Sequence, residues 1–227
     1  EIDVPTHGPS SSSSSSSSRR PTEAENVALA EGACRAFLSS SGFSSDCLSV
    51  DFSGARWPGR FEEIRVKGRT VLVDAAHNGE SVRRLAEEAR AAYPSRRWHV
   101  VFGCGREKDD TTKDMVDALA GAAPMIARLS FVQAGVGVHL PPSKQPATAR
   151  DLEEAAPPSL RPLIAPRLDP PSTRKTLDAA IEENNNIEGG DGVSILVCGS
   201  VYVAGEAREW AVETDPSSLP PDDWAHR

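Results

Sequence analysis

A doubly wound, Rossmann-like α/β fold, with a mostly parallel sheet covered by helices on both faces, is predicted by three features of the sequence. Short unbroken apolar runs (70–74 TVLVD, 98–102 WHVVF, 193–198 VSILVC) alternate with stretches whose apolar residues recur at helical spacing. Strands that are apolar at every position fit a parallel sheet buried on both sides. Gly103 and Gly199 close two of the runs, where sheets of this kind carry their ligand sites.

The chain has 227 residues, enough for one large domain with tails and for a core that needs neither disulfides nor a structural metal. With 25 basic and 33 acidic residues the net charge is −8. That balance argues against nucleic acid or an anionic membrane as partner, since both reward a basic face. It leaves room for a small anion held by a few local cations. Four cysteines, Cys34, Cys47, Cys104 and Cys198, form no CxxC pair. Reduced thiols in an intracellular protein are therefore expected, cytoplasmic first, with mitochondrion or plastid as alternatives.

Taken in order, residues 1–22 contain an unbroken serine run from Ser10 to Ser18 between prolines, and read as a disordered linker. Val27, Leu29, Ala30, Ala33, Phe37 and Leu38 predict a helix over 22–38. A strand at 70–74 leads to a helix over 81–93, with Val82, Leu85, Ala86 and Ala89 on one face. The strand at 98–102 is followed by a helix opened by Thr111 and Asp114, with Met115, Val116 and Leu119 inward. A third strand is expected at 128–133, a helix at 173–184, the last strand at 193–198 and its helix at 201–212. Residues 134–172 hold nine of the eighteen prolines and read as an exposed surface insertion, with one or two helical turns at 148–156 and a short strand near 163–164. The polar, proline-rich tail 214–227 is expected to be disordered.

Four segments stand out as chemistry: Trp57-Pro58-Gly59-Arg60; Asp74-Ala75-Ala76-His77-Asn78; Phe102-Gly103 with Lys108-Asp109; and Cys198-Gly199-Ser200-Val201-Tyr202 with Gly205-Glu206-Ala207-Arg208. In this order and spacing they resemble the C-terminal domain of the Mur ligase superfamily, nearest to folylpolyglutamate and dihydrofolate synthases. The shared patterns are the WPGR loop, a D-x-A-H-N strand end and a C-G-S-x-Y-x-x-G-E turn. The resemblance runs over about 55–210, and 23–52 resembles the last helical part of that family's central ATP-binding domain.

The resemblance implies an ATP-dependent ligase that phosphorylates a folate carboxylate and lets the amine of L-glutamate displace phosphate. It implies ATP and Mg2+ as cofactors, held mainly by the central part, small-molecule partners (ATP, L-glutamate, folate), and a monomer. Within it, Arg60 is a planar cation suited to phosphate oxygens. Asp74 accepts from a ribose hydroxyl or an ammonium group, and His77 orients or deprotonates an amine. Ser200 helps to hold a carboxylate where a helix opens. Lys108 contacts ATP, or simply pairs with Asp109.

Each has an ordinary alternative: a surface arginine, a turn acid, a solvated histidine, a plain N-cap. Asp74 and His77 are expected to be replaceable with little effect on folding, and Gly79, where the family often has proline, to loosen its loop. No G-x-x-x-x-G-K-[ST] segment occurs in the sequence, so this chain alone is expected not to activate a carboxylate. A non-catalytic binding module derived from such a ligase is the alternative. A dinucleotide site fails because Lys108 takes the third glycine position, and no G-x-S-x-G occurs for a hydrolase.

Overall fold

The computed structural model describes residues 21–42, 57–106, 111–135, 145–185 and 193–226. The chain divides into two compact units, 1–55 and 56–227. In the first, helix α1 (Pro21–Ser40) is mostly exposed along its length, Leu29 and Phe37 included. It ends where the Ser40 hydroxyl and the Ser41 amide both donate to the Phe37 carbonyl.

The second unit is built on β1 (Glu62–Val66), β2 (Arg69–Val73), α2 (Gly79–Ala92), β3 (Trp98–Phe102), α3 (Thr111–Gly121), β4 (Ile126–Phe131), α4 (Ala149–Ala155), α5 (Thr173–Asn185), β5 (Ser194–Cys198) and α6 (Val201–Thr214). The sheet order is β1-β2-β5-β3-β4. β1 runs antiparallel to β2 and every other pair is parallel. Strand alternation sorts the side chains into two cores. Leu72, Val100, Phe102, Leu129 and Leu196 share one with residues of α2, α3 and α4. Val71, Val73, Val101, Ile195 and Val197 share the other with residues of α5 and α6. No helix among the described residues is long and apolar enough to cross a membrane.

The structure departs from the sequence reading in four places. β1, unanticipated, joins β2 through a two-residue turn in which Lys67 (φ 48°) and Gly68 (φ 78°) are both left-handed. Such a turn matches the twist of a hairpin, and its second site suits glycine. β4 begins two residues early because a register shift between Trp98 and His99 pairs Trp98 with Ile126 and His99 with Arg128. The proline-rich insertion is not wholly a surface feature, since Ala147, Ala149, Leu152, Ala156 and Leu160 enter the first core. Its expected strand at 163–164 is a single bridge between Leu129 and Ile164. The tail, expected to be disordered, packs: Leu219 is buried in the second core and Asp223 binds Arg208. A few apolar anchors and one ion pair hold a segment whose composition is otherwise polar. The serine run and Cys47 lie outside the described residues.

Candidate functional site

The helices that follow β2 and β3 lie on one face of the sheet, while α6, after β5, lies on the other. β5 sits between those two strands. Chains that part to opposite faces open a crevice at the strand ends, the usual ligand position in such sheets. Parts of all four segments singled out in the sequence meet there.

Gly199 makes the crevice narrow. Its φ is +107°, and a Cβ there would come 2.6 Å from the Gly103 carbonyl oxygen, so only glycine fits. Its amide donates to the Ala76 carbonyl at 2.9 Å, which ties the end of β5 to the segment after β2. Ser200 follows as the N-cap of α6, buried, its hydroxyl accepting from the Tyr202 amide at 3.2 Å. The N-cap role is thus present, at a helix end directed to the crevice side of the sheet.

Asp74 follows the last residue of β2, and its backbone amide extends the ladder to Val197. Its carboxylate accepts the Ala76 amide at 2.7 Å on one oxygen and the Phe61 amide at 2.7 Å on the other. Phe61 is left-handed at φ 48°, so Asp74 holds a strained residue in place. The Ala75 amide donates to the Gly59 carbonyl at 2.7 Å, a second tie to the same loop. Burial pushes the Asp74 carboxyl above its ordinary value, opposed by those two amides and by the Arg60 charge. Asp74 is therefore a structural clasp for the 57–61 loop. The hydrogen bonds from Phe61 and Ala76 argue against the expectation that it is replaceable with little effect on folding.

His77 is exposed, and its Nδ1 lies 2.9 Å from the Ala75 carbonyl. A carbonyl only accepts, so Nδ1 carries the proton and neutral His77 presents the lone pair of Nε2. The loop after it is firm. Asn78 and Ser81 form a capping box at the start of α2, and Ser81 Oγ also accepts the His77 amide at 3.0 Å. Where Gly79 was expected to loosen the loop, the structure shows a capping box whose hydrogen bonds hold the turn.

Arg60 is exposed on a turn closed by its own amide donating to the Trp57 carbonyl. Trp57 is 77% exposed beside it. The structure thus brings the Arg60 loop, the Asp74–His77 strand end and Ser200 together. Lys108 and Asp109 lie outside the described residues. Among the described residues no three His, Cys, Asp or Glu side chains are grouped to hold a metal ion. The reading of the sequence assigned nothing to Glu62, whose carboxylate accepts the Gly59 amide at 2.7 Å. Its place two residues after Arg60 was the available signal.

Comparison with known proteins supplies a family for this fold. The family described as "Mur ligase, glutamate ligase domain" matches residues 59–201. A UDP-N-acetylmuramoyl-L-alanyl-D-glutamate–2,6-diaminopimelate ligase of Thermosynechococcus vestitus is 37% identical over 73 residues, 31% of this chain and 14% of that protein. A dihydrofolate synthase/folylpolyglutamate synthase of Bacillus subtilis is 34% identical over 88 residues, 39% of this chain and 20% of that protein. Among solved structures, a Mycobacterium tuberculosis folylpolyglutamate synthase complexed with ADP and AMPPCP shares the fold with a TM-score of 0.61 at 24% identity. That match covers 83% of this chain and 39% of the other. The chain spans well under two thirds of each of these proteins.

Proposed function

We propose, from the premise that this chain belongs to the Mur ligase, glutamate ligase domain family, that it serves the amino-acid side of a folate–glutamate ligase and touches its nucleotide. The observation that carries the reading is the meeting of the Arg60 loop, His77 and Ser200 at the end of β5, fastened by Asp74 and Gly199. In this chemistry ATP phosphorylates a folate carboxylate, the glutamate amine attacks the acyl carbon, the C–N bond forms and phosphate leaves. Arg60 offers its guanidinium to phosphate oxygens. His77, with Nδ1–H held by Ala75, offers Nε2 to the proton the amine must lose. Ser200 and the opening turn of α6 favour the glutamate carboxylate. Asp74 acts by holding the loop that carries Arg60, and Lys108 adds a second cation toward ATP. No three His, Cys, Asp or Glu side chains are grouped among the described residues, and no step is assigned to Mg2+. With no G-x-x-x-x-G-K-[ST] segment in the sequence, turnover calls for the ATP-binding part of the larger relatives.

A second reading keeps the chemistry and changes the substrates to those of a peptidoglycan-precursor ligase. It is favoured by the 37% identity to the diaminopimelate ligase. The folate reading rests on the 34% identity over 88 residues to the folate relative and on the C-G-S-x-Y-x-x-G-E turn at 198–206.

The test is calorimetric titration of the chain with AMPPCP, L-glutamate and diaminopimelate, in native, Arg60→Ala and His77→Ala forms. Expected are heats for AMPPCP and glutamate, AMPPCP weakened about tenfold by Arg60→Ala, and glutamate weakened by His77→Ala. Diaminopimelate bound in preference to glutamate selects the second reading. Identical affinities in all three forms refute the site. Binding without turnover, after the ATP-binding part of a relative is joined on, marks a non-catalytic module.

A further inference from the structure

One charged cluster has no part in the roles assigned above. Arg208, on α6, is 1% exposed. Its Nε donates to Glu62 Oε2 at 2.8 Å and its Nη2 to Glu62 Oε1 at 3.1 Å. On the other side Nη1 and Nη2 donate to the two oxygens of Asp223 at 3.0 and 2.6 Å. The guanidinium also lies 5.0 Å from the centre of the Trp224 ring. One cation thus joins two carboxylates from segments 146 and 15 positions away in sequence.

Stability alone is a poor reason for such a cluster. Desolvating charges costs about as much as their attraction returns, and apolar side chains of similar volume do as well. Geometry supplies another reason. Glu62 Oε2, which Arg208 grips, also accepts the Gly59 amide at 2.7 Å, and Gly59 immediately precedes Arg60. The Gly59 carbonyl is held in turn by the Ala75 amide. A continuous path of charge-assisted hydrogen bonds therefore runs from the C-terminal segment through α6 to the residue before Arg60.

We propose that Arg208 is a positioning residue for Arg60: anchored by Asp223 and Trp224, it orients Glu62, which fixes the Gly59 amide and so the direction in which Arg60 leaves its loop. The C-terminal segment becomes a working part of the site. The inference rests on the reading of Arg60 as a nucleotide contact.

Two variants of the whole chain test it, Asp223→Asn, which weakens the far anchor, and Arg208→Lys, which keeps the charge and loses the fork. The first readout needs no ligand. Hydrogen exchange at the Gly59 amide is expected to quicken about tenfold or more in both variants, while amides of β3 and β5 keep their rates. An unchanged Gly59 amide, or one that quickens only in step with the whole sheet, overturns the proposal. The second readout is AMPPCP affinity with Arg60 and with Arg60→Ala, in native and Asp223→Asn chains. Coupling is expected, with the Arg60→Ala loss in the Asp223→Asn chain reduced to less than half its native logarithm. A full Arg60→Ala loss in both chains overturns the positioning role. Should Arg60→Ala change nothing even in the native chain, the nucleotide reading of Arg60 is what fails. The Gly59 exchange rates then show separately whether the linkage exists.

Discussion

Replacing Asp74 with alanine removes the carboxylate that two backbone amides donate to. The bonds to Phe61 and Ala76 are both 2.7 Å, and each engages a carboxylate. Hydrogen bonds to charged groups contribute about 1.5–3 kcal/mol apiece, so the gross loss is roughly 3–6 kcal/mol. Two terms offset it. The alanine no longer buries an ionisable group whose pKa burial has already raised. Phe61, released from its amide tie, also relaxes from φ 48°, recovering about 1–2 kcal/mol. The expected net loss is about 2 kcal/mol. For a unit spanning 56–227 that lowers the melting temperature by about 4–8 °C. His77→Ala forfeits one part-buried hydrogen bond of an exposed side chain and is expected to fall within about 0.5 kcal/mol of the native chain. Urea denaturation of the two variants side by side is the assay. Equal stabilities would refute the assignment of Asp74 as the clasp of the 57–61 loop.

Two further outcomes follow from interactions elsewhere in the fold. His99 is buried, bonded to Ser130 at 2.8 Å, and burial with the nearby Arg128 charge holds its pKa down at about 4. The unfolded chain then binds a proton there at higher pH than the folded one. His99 therefore costs no stability above about pH 6.5, and stability drains as pH falls from there toward 4, by about 3 kcal/mol at most. His99→Gln is expected to flatten that limb of a stability–pH curve, and an unaltered slope between pH 4 and 6.5 would count against it. Lys67→Asn places a residue tolerant of left-handed φ in the hairpin turn while keeping the amide that donates to Asp215. A gain of about 0.5–1 kcal/mol in chemical denaturation is expected, and a loss would show that the lysine side chain contributes more than the turn costs.

The sheet strands that lie within apolar runs were legible because a parallel strand buried on both sides declares itself in one stretch of sequence. β1 was not, since Glu62, Glu63 and Arg65 alternate with Ile64 and Val66, and its turn, Lys67-Gly68, lacks the asparagine or aspartate that marks such hairpins best. The site was legible as a set of segments through their resemblance to a family, yet the roles within it were only partly so. Asp74 looked like an acceptor free for a ligand. Its partner, the Phe61 amide, sits thirteen positions upstream, and nothing local in the chain announces that pairing. Arg208 and Asp223 were invisible as a pair for the same reason. The tail's order depends on Leu219 and Trp224, two side chains in a stretch whose average composition points the other way.

The sheet order also has a meaning for how the protein is made. β5 leaves the ribosome after the other strands of its sheet and occupies the slot between β2 and β3, with Val71 pairing to Ile195 and His99 to the same residue from the other side. Until residue 198 has emerged, the nascent polypeptide holds a hairpin and a separate two-stranded ribbon, each with an open backbone edge aimed at a neighbour not yet synthesised. Open edges of that kind invite pairing with other chains. Such distant pairings also close slowly, because the intervening loop entropy must be overcome first. Premature termination before Ser194 is therefore expected to yield an aggregation-prone product rather than a shorter working domain.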